Sequence, residues 1–228
     1  MANEMLLLAF EPHAEWARVL LPETVCGDAS HDALHLARVF ANARAIAAHE
    51  GGDIELLAVA TLLHDCVQLE KNSPLRAKAS RLAAEKATRL LAPHWPEARL
   101  AALAHAIEAH SYSAGIPPRS LEACILQDAD RLDSLGAVGV ARTFFVAGRL
   151  GRSLYDPEDP RAERRGLDDH AYAIDHFRTK LLHLAAGVRT PTGARLAQAR
   201  QARLMRFLAE FEEEIGLAAH GLRGPPHP

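Results

Sequence analysis

The sequence predicts an all-α protein, and three observations carry that prediction. Its 228 residues include 44 alanines and 33 leucines, about a third of the chain, whereas valine, isoleucine and threonine together number only 23. This balance favours helices over strands. Apolar residues also recur with helical periodicity along most of the chain, and short clusters of glycine, proline and aspartate separate the periodic segments.

The periodic segments predict helices in the following order: 12–20, 31–49, 54–67, 75–91, a helix ending near 109, 121–132, 136–149, 172–184 and 194–216. Ser30 and Asp53 are placed to cap the second and third helices, and Gly51 with Gly52 separates these two. Helix 54–67 is apolar on all sides, so a central position is expected for it. Pro74 suits the first turn of the next helix.

The chain is expected to form one domain with a charged loop near its C-terminal third. The boundaries predicted are 1–27 for an N-terminal helix and linker, 28–150 for the helical core, 151–169 for the loop, 170–217 for closing helices and 218–228 for a disordered tail. The loop contains prolines, glycines and charges of both signs, and long ordered loops are often functional.

Charge and cysteine content exclude several classes of protein. The formal net charge is −3 and the pI is about 6.5, which argues against a protein that coats nucleic acid. Cys26, Cys66 and Cys124 form no CxxC pair, so neither a disulfide framework nor a zinc knuckle is indicated and a cytoplasmic location is expected. The apolar run 5–10 is too short to span a membrane.

Histidines and aspartates gather in segments that should be buried. His64 and Asp65 follow two leucines on the most apolar helix; other members of the set are His31, His35, His105, His110, Asp128, Asp130 and Asp133. Burial of such groups is costly unless they are paired or bind a metal ion. For His64 and Asp65 alone, a core histidine and an arginine-paired aspartate remain the simpler interpretation.

The pattern of His35, then His64-Asp65, then Asp130 within QDADRLDSLG resembles the H…HD…D signature of the HD-domain metal-dependent phosphohydrolases. The strings HDALHLARV, LLHDCVQLEKNSPLR, HAIEAHSYSAG, LYDPEDP, AIDHFRTKLLHL and TPTGARLAQAR extend the resemblance to the small bacterial YedJ-like branch over about residues 28–212. The resemblance implies an HD-domain helical bundle with additional C-terminal helices.

The resemblance also implies the metal ligands: His35, His64, Asp65 and Asp130. Two imidazoles and two carboxylates suit one divalent ion, with Mn²⁺ favoured over Mg²⁺, Fe²⁺, Co²⁺ and Zn²⁺. Asp65 and His110 are the expected catalytic residues, His110 as a donor of a hydrogen bond or proton. Asp133 either supports a ligand, faces the substrate, or pairs with Arg131 or Arg142. His31 is left open as a ligand, a substrate contact or part of a first helical turn.

Basic residues near the motifs are candidate contacts for an anionic substrate, because an arginine fork or a lysine matches phosphate. The candidates are Lys71, Arg76, Arg38 and Arg142. Solvated helix surface is the alternative for each of them, least so for Lys71, which lies in a turn a few residues after the HD pair.

The leading hypothesis is hydrolysis of a nucleoside triphosphate to a monophosphate and pyrophosphate. The alternatives are a nucleotide phosphomonoesterase or phosphodiesterase, a di-iron oxygenase, and a non-catalytic nucleotide-binding module. Segment 75–91 contains no histidine, which counts against a two-metal site. The expected partner is a small nucleotide or other phosphate, with no membrane contact, in a monomer or a homodimer.

Overall fold

A computed structural model describes residues 2–24, 33–67, 78–111 and 114–221. These residues form helices, and in the described part of the chain no strand forms beyond a single β-bridge between Ser153 and Tyr172. The all-α prediction is therefore confirmed. No described helix combines the length and the apolar character needed to cross a membrane.

The chain divides into two compact units. The first comprises Met1–Asp133 with Val188–Leu196, and the second comprises Ser134–Gly187 with Ala197–Pro228. The helices of the first unit are α1 (Ala2–Ala9), α2 (Ala14–Leu20), α3 (Ala33–Glu50), α4 (Ile54–Leu63), α5 (Ala79–Leu91), α6 (Glu97–His110) and α7 (Leu121–Asp133).

Within the described part of the chain, two helix assignments in the first unit differ from those predicted by more than two residues. Helix α1 was not predicted, although its Leu6 is buried. Helix α4 ends at Leu63 rather than Val67, so His64 is its C-terminal cap residue and Asp65 lies just beyond it. The HD pair thus stands at a helix end, where side chains can turn toward neighbouring helices.

The turn between α3 and α4 follows directly from its sequence. Gly51 and Gly52 have φ angles of +84° and +107°, values that residues with a Cβ rarely adopt. Asp53 then caps α4, because its carboxylate accepts a hydrogen bond from the backbone N–H of Leu56 at 2.9 Å. The residues of α4 from Leu56 to Leu63 are all buried, which confirms its predicted central position.

The core of the first unit lies where α3, α4, α6 and α7 pack on one another. Helix α3 buries a face that includes His35, Leu36, Val39 and Phe40. The ring of Phe40 stacks on that of Phe10 at a centroid distance of 4.5 Å. The buried face of α3 therefore carries His35 into the apolar interior together with its core side chains.

The second unit contains α8 (Gly136–Arg149), a π-helical segment Phe177–Leu181, the short α9 (Leu182–Leu184) and most of α10 (Pro191–Gly221). Tyr172 forms the β-bridge and residues 173–174 form a turn, so the helical conformation begins at Asp175 rather than at Tyr172 as predicted. Residues 151–169 contain no helix, and Asp159 orders this segment by accepting backbone hydrogen bonds from Glu163, Arg164 and Arg165.

Candidate metal centre

Four helices of the first unit bring imidazoles and carboxylates together. His35 lies on α3, His64 and Asp65 at the end of α4, His110 at the end of α6, and Asp130 on α7. Ligand atoms of His35, His64 and Asp130 all lie within 4.8 Å of one another, and so do those of His64, Asp65 and His110. Residues more than ninety positions apart in sequence thus form one cluster.

The tautomer of His64 follows from a backbone contact. Its Nδ1 lies 2.7 Å from the carbonyl oxygen of Thr61, which can only accept, so Nδ1 carries the hydrogen. In the neutral ring, Nε2 then bears a lone pair. This atom is buried, finds no hydrogen-bond donor among the described residues, and lies 3.5 Å from Oδ2 of Asp65.

His110 repeats this arrangement on α6. Its Nδ1 donates to the carbonyl oxygen of Ile107 at 2.6 Å, and its Nε2 lies 3.5 Å from Oδ1 of Asp65. The rings of His64 and His110 meet edge to face, with centroids 4.9 Å apart. Asp65 therefore lies between two imidazoles that both present Nε2.

Two aspartates one turn apart on α7 lie beside the two ring nitrogens of His35. Its Nδ1 lies 2.8 Å from Oδ2 of Asp133, and its Nε2 lies 3.6 Å from Oδ1 of Asp130. Asp133 also accepts from Nε of Arg38 at 2.6 Å and from Nη2 at 3.1 Å. The spacing of three residues between Asp130 and Asp133 thus places one carboxylate at each nitrogen of the same ring.

These groups require positive charge between them. Carboxylate oxygens and the Nε2 of a neutral imidazole all present lone pairs, which repel one another at these distances unless a proton or a metal ion lies between them. Burial lowers the pKa of His64, despite the opposing charge of Asp65, so a proton on that ring is disfavoured. The donor set instead fits a divalent metal ion of intermediate hardness.

His110 differs electrostatically from His64. Burial again disfavours its charged form, but the hydrogen bond and charge of Asp65, together with the charge of Asp130, outweigh burial and raise the pKa of His110.

The two carboxylates are the more accessible members of the cluster, with side chains 34% and 30% exposed for Asp65 and Asp130. The cluster therefore opens to solvent on its carboxylate side.

Two buried carboxamides for which the sequence predicts no role support this geometry. Asn42 donates to the carbonyl oxygen of Ala129, beside Asp130, and Gln127 donates to that of Ala109, beside His110. Both side chains are buried. The sequence offers one means of finding them: each is an amide at a helical position that the apolar periodicity assigns to the core.

The remaining predicted site residues have various locations. Asp128 is fully buried and accepts hydrogen bonds from the backbone N–H groups of Arg189 and Thr190. His105 accepts a hydrogen bond from the backbone N–H of Arg119. Arg142 lies on α8 in the second unit. Three predicted residues lie outside the described residues: His31, Lys71 and Arg76.

Comparison with known proteins identifies a family match and similar structures. Residues 33–135 match the HD domain family. The chain is 31% identical to the Bacillus subtilis protein YpgQ over 213 residues, which cover 88% of this chain and 90% of YpgQ. A crystal structure of YpgQ in complex with ADP has a TM-score of 0.67 and 28% identity, and the match covers 94% of this chain and 97% of that one.

A second crystal structure, of an HD-superfamily hydrolase from Bacillus thuringiensis, has a TM-score of 0.63 and 29% identity. The match covers 94% of this chain and 98% of that one. The similarity thus extends beyond the helices that carry the cluster. Because residues 33–135 match the HD domain and a relative of 31% identity covers most of the chain, the chain belongs to the HD-domain family of metal-dependent phosphohydrolases.

Proposed function

We propose that this protein hydrolyses a nucleoside triphosphate to a monophosphate and pyrophosphate, with His35, His64, Asp65 and Asp130 holding one divalent ion. The observation that carries the proposal is the convergence of imidazole Nε2 atoms on two carboxylates, with Nε2 of His64 buried and given no donor. When bound, such an ion lowers the pKa of a water molecule and withdraws charge from phosphoryl oxygens.

A single ion is favoured by the way the two sets of ligand atoms overlap. His64 belongs to both sets, and only its Nε2 is available because Nδ1 donates to Thr61. Because one ring nitrogen binds one ion, the two sets cannot both be complete sites of separate ions. Manganese is the favoured metal, since carboxylates and imidazoles in equal number suit an ion between the hard and soft extremes.

The protein's own residues would perform the remaining steps. The carboxylates of Asp65 and Asp130 face the accessible side of the cluster and would orient an attacking water toward phosphorus. His110, whose Nδ1 is engaged by Ile107, can exchange a hydrogen bond or proton only through Nε2. We propose that this atom contacts a phosphoryl oxygen of the substrate.

A nucleotide is favoured as substrate because YpgQ, which matches this chain over most of its length, has been crystallised with ADP. Cleavage between the α and β phosphates leaves a nucleoside monophosphate, and the departing group is pyrophosphate. Binding of the phosphates by Lys71, Arg76 and Arg142 stays a prediction.

The proposed function is tested by a substrate screen with the purified full-length protein. Nucleoside mono-, di- and triphosphates are incubated with Mn²⁺, Mg²⁺, Fe²⁺ or Co²⁺, and products are identified by mass. We expect pyrophosphate and a nucleoside monophosphate, with the highest rate in Mn²⁺. Inorganic phosphate without pyrophosphate would instead identify a phosphomonoesterase, and two irons per chain with oxygen uptake would identify an oxygenase.

Replacement of His110 separates catalysis from metal binding. We expect His110→Ala to lower kcat by about 10²- to 10⁴-fold, the contribution of a positioned acid or base. The affinity for Mn²⁺, measured by calorimetry, should stay within a few-fold of the wild type. His105→Ala on the same helix serves as the control and should leave both quantities unchanged.

Two results would contradict this assignment of His110. If His110→Ala weakened Mn²⁺ binding as much as His64→Ala does, His110 would be a fifth metal ligand. If kcat stayed at the wild-type value, His110 would have no part in the reaction.

A further inference from the structure

The group that accepts the Nδ1 hydrogen bond of His35 differs in kind from the acceptors of His64 and His110. His64 and His110 each donate to an uncharged backbone carbonyl of their own helix. His35 lies 2.8 Å from a carboxylate on another helix, that of Asp133. Among the three rings of the cluster, only that of His35 thus has a carboxylate beside its Nδ1.

The carboxylate of Asp133 is itself held firmly. It is 1% exposed, and both of its oxygens face donors: Oδ1 faces Nε of Arg38, and Oδ2 faces Nη2 of Arg38 and Nδ1 of His35. Such burial of a carboxylate is costly unless it is paired and hydrogen-bonded. The arginine fork of Arg38 supplies that pairing.

The contact with Asp133 changes the chemistry of the other ring nitrogen of His35, Nε2. A carboxylate that accepts the Nδ1 hydrogen fixes the tautomer and the ring orientation, and it increases electron density at the opposite nitrogen. That nitrogen is the one that lies 3.6 Å from Asp130, within the cluster. A stronger donor atom at this position binds a cation more tightly.

We propose that Asp133 is a positioning residue that holds His35 in the Nδ1–H tautomer and strengthens its Nε2 as a metal ligand. The proposal rests on the metal site of the proposed function and assigns Asp133 a different task from substrate contact. Arg38, in turn, holds Asp133 in place.

The first test replaces Asp133 by asparagine. An amide oxygen can face either Arg38 or His35, and an amide N–H placed against Nδ1 would force the hydrogen of His35 onto Nε2, which could then no longer bind a cation. We expect the Kd for Mn²⁺, measured by calorimetry on the metal-free protein, to rise about 10- to 100-fold.

Asp128→Asn is the matched control. Asp128 is a buried carboxylate on the same helix, but it accepts from the backbone of Arg189 and Thr190. This variant should lose stability without a comparable change in Mn²⁺ affinity. Equal changes in Kd for the two variants, or no change for Asp133→Asn, would overturn the proposal.

A second measurement needs no variant. Imidazole ¹⁵N chemical shifts of the metal-free wild-type protein distinguish the two neutral tautomers, and we expect the Nδ1–H form for His35. An Nε2–H form would overturn the proposal even if Asp133→Asn failed to fold. Neither readout uses a nucleotide, so a protein that passed both tests and hydrolysed no nucleotide would contradict the proposed function alone.

Discussion

Replacement of both His64 and Asp65 by alanine is expected to abolish metal binding and hydrolysis together. These two residues supply a buried Nε2 and the carboxylate that lies between two imidazoles. Because a Lewis-acid metal contributes several kcal/mol to the stabilisation of the transition state, we expect kcat/KM to fall about a thousandfold or more.

Thermal unfolding with and without Mn²⁺ provides the binding measurement. A ligand at a hundred times its Kd stabilises the folded state by about 2.7 kcal/mol, so the wild type should gain stability with Mn²⁺ and the double variant should not. The control is the double variant His183→Ala, Glu210→Ala, which removes an exposed imidazole and an exposed carboxylate of the second unit.

The double alanine variant also distinguishes between function classes. Hydrolysis that survived it would refute the proposed metal site. A variant that kept its affinity for nucleotide, in a protein whose wild type showed no turnover, would identify a nucleotide-binding module instead of an enzyme.

Gly193→Ala is expected to have a large effect on stability. A Cβ at this position would lie 2.6 Å from Oγ1 of Thr190, 2.8 Å from Oδ2 of Asp128 and 2.9 Å from Cγ1 of Val188. The methyl group must therefore push apart the contacts in which Asp128 accepts from Thr190 and Thr190 accepts from the N–H of Gly193. We expect the free energy of unfolding to fall by about 2 to 4 kcal/mol.

Gly148→Ala is the control for that substitution. Gly148 lies in α8, and a Cβ there would meet no atom within 4 Å. Alanine favours a helix over glycine, so this variant should be unchanged or more stable by up to about 1 kcal/mol. Circular dichroism during urea unfolding compares the two variants, and equal midpoints would show that Gly193 is not needed for close packing.

Local signals in the sequence were sufficient for most of the helices. Gly51, Gly52 and Asp53 act within a few residues of one another, so the end of α3 and the start of α4 could be recognised directly. The signals were insufficient at 172–174, where the sequence predicts the start of a helix but the backbone forms a β-bridge and a turn. At that point Asp175 accepts hydrogen bonds from Arg165 and from the backbone of Asp168, contacts that no local pattern reveals.

In the candidate site, too, the sequence determined some features and the tertiary structure determined the others. The sequence by itself determined which residue types lie on the inner faces of the helices and, through the HD signature, which family the chain resembles. Only the tertiary structure decided how the ring nitrogens are used, because a tautomer depends on the acceptor that another segment or turn places beside it. Asp133 is the clearest instance. Its position three residues after Asp130 left several partners open, and the packing of α3 against α7 selected His35 and Arg38.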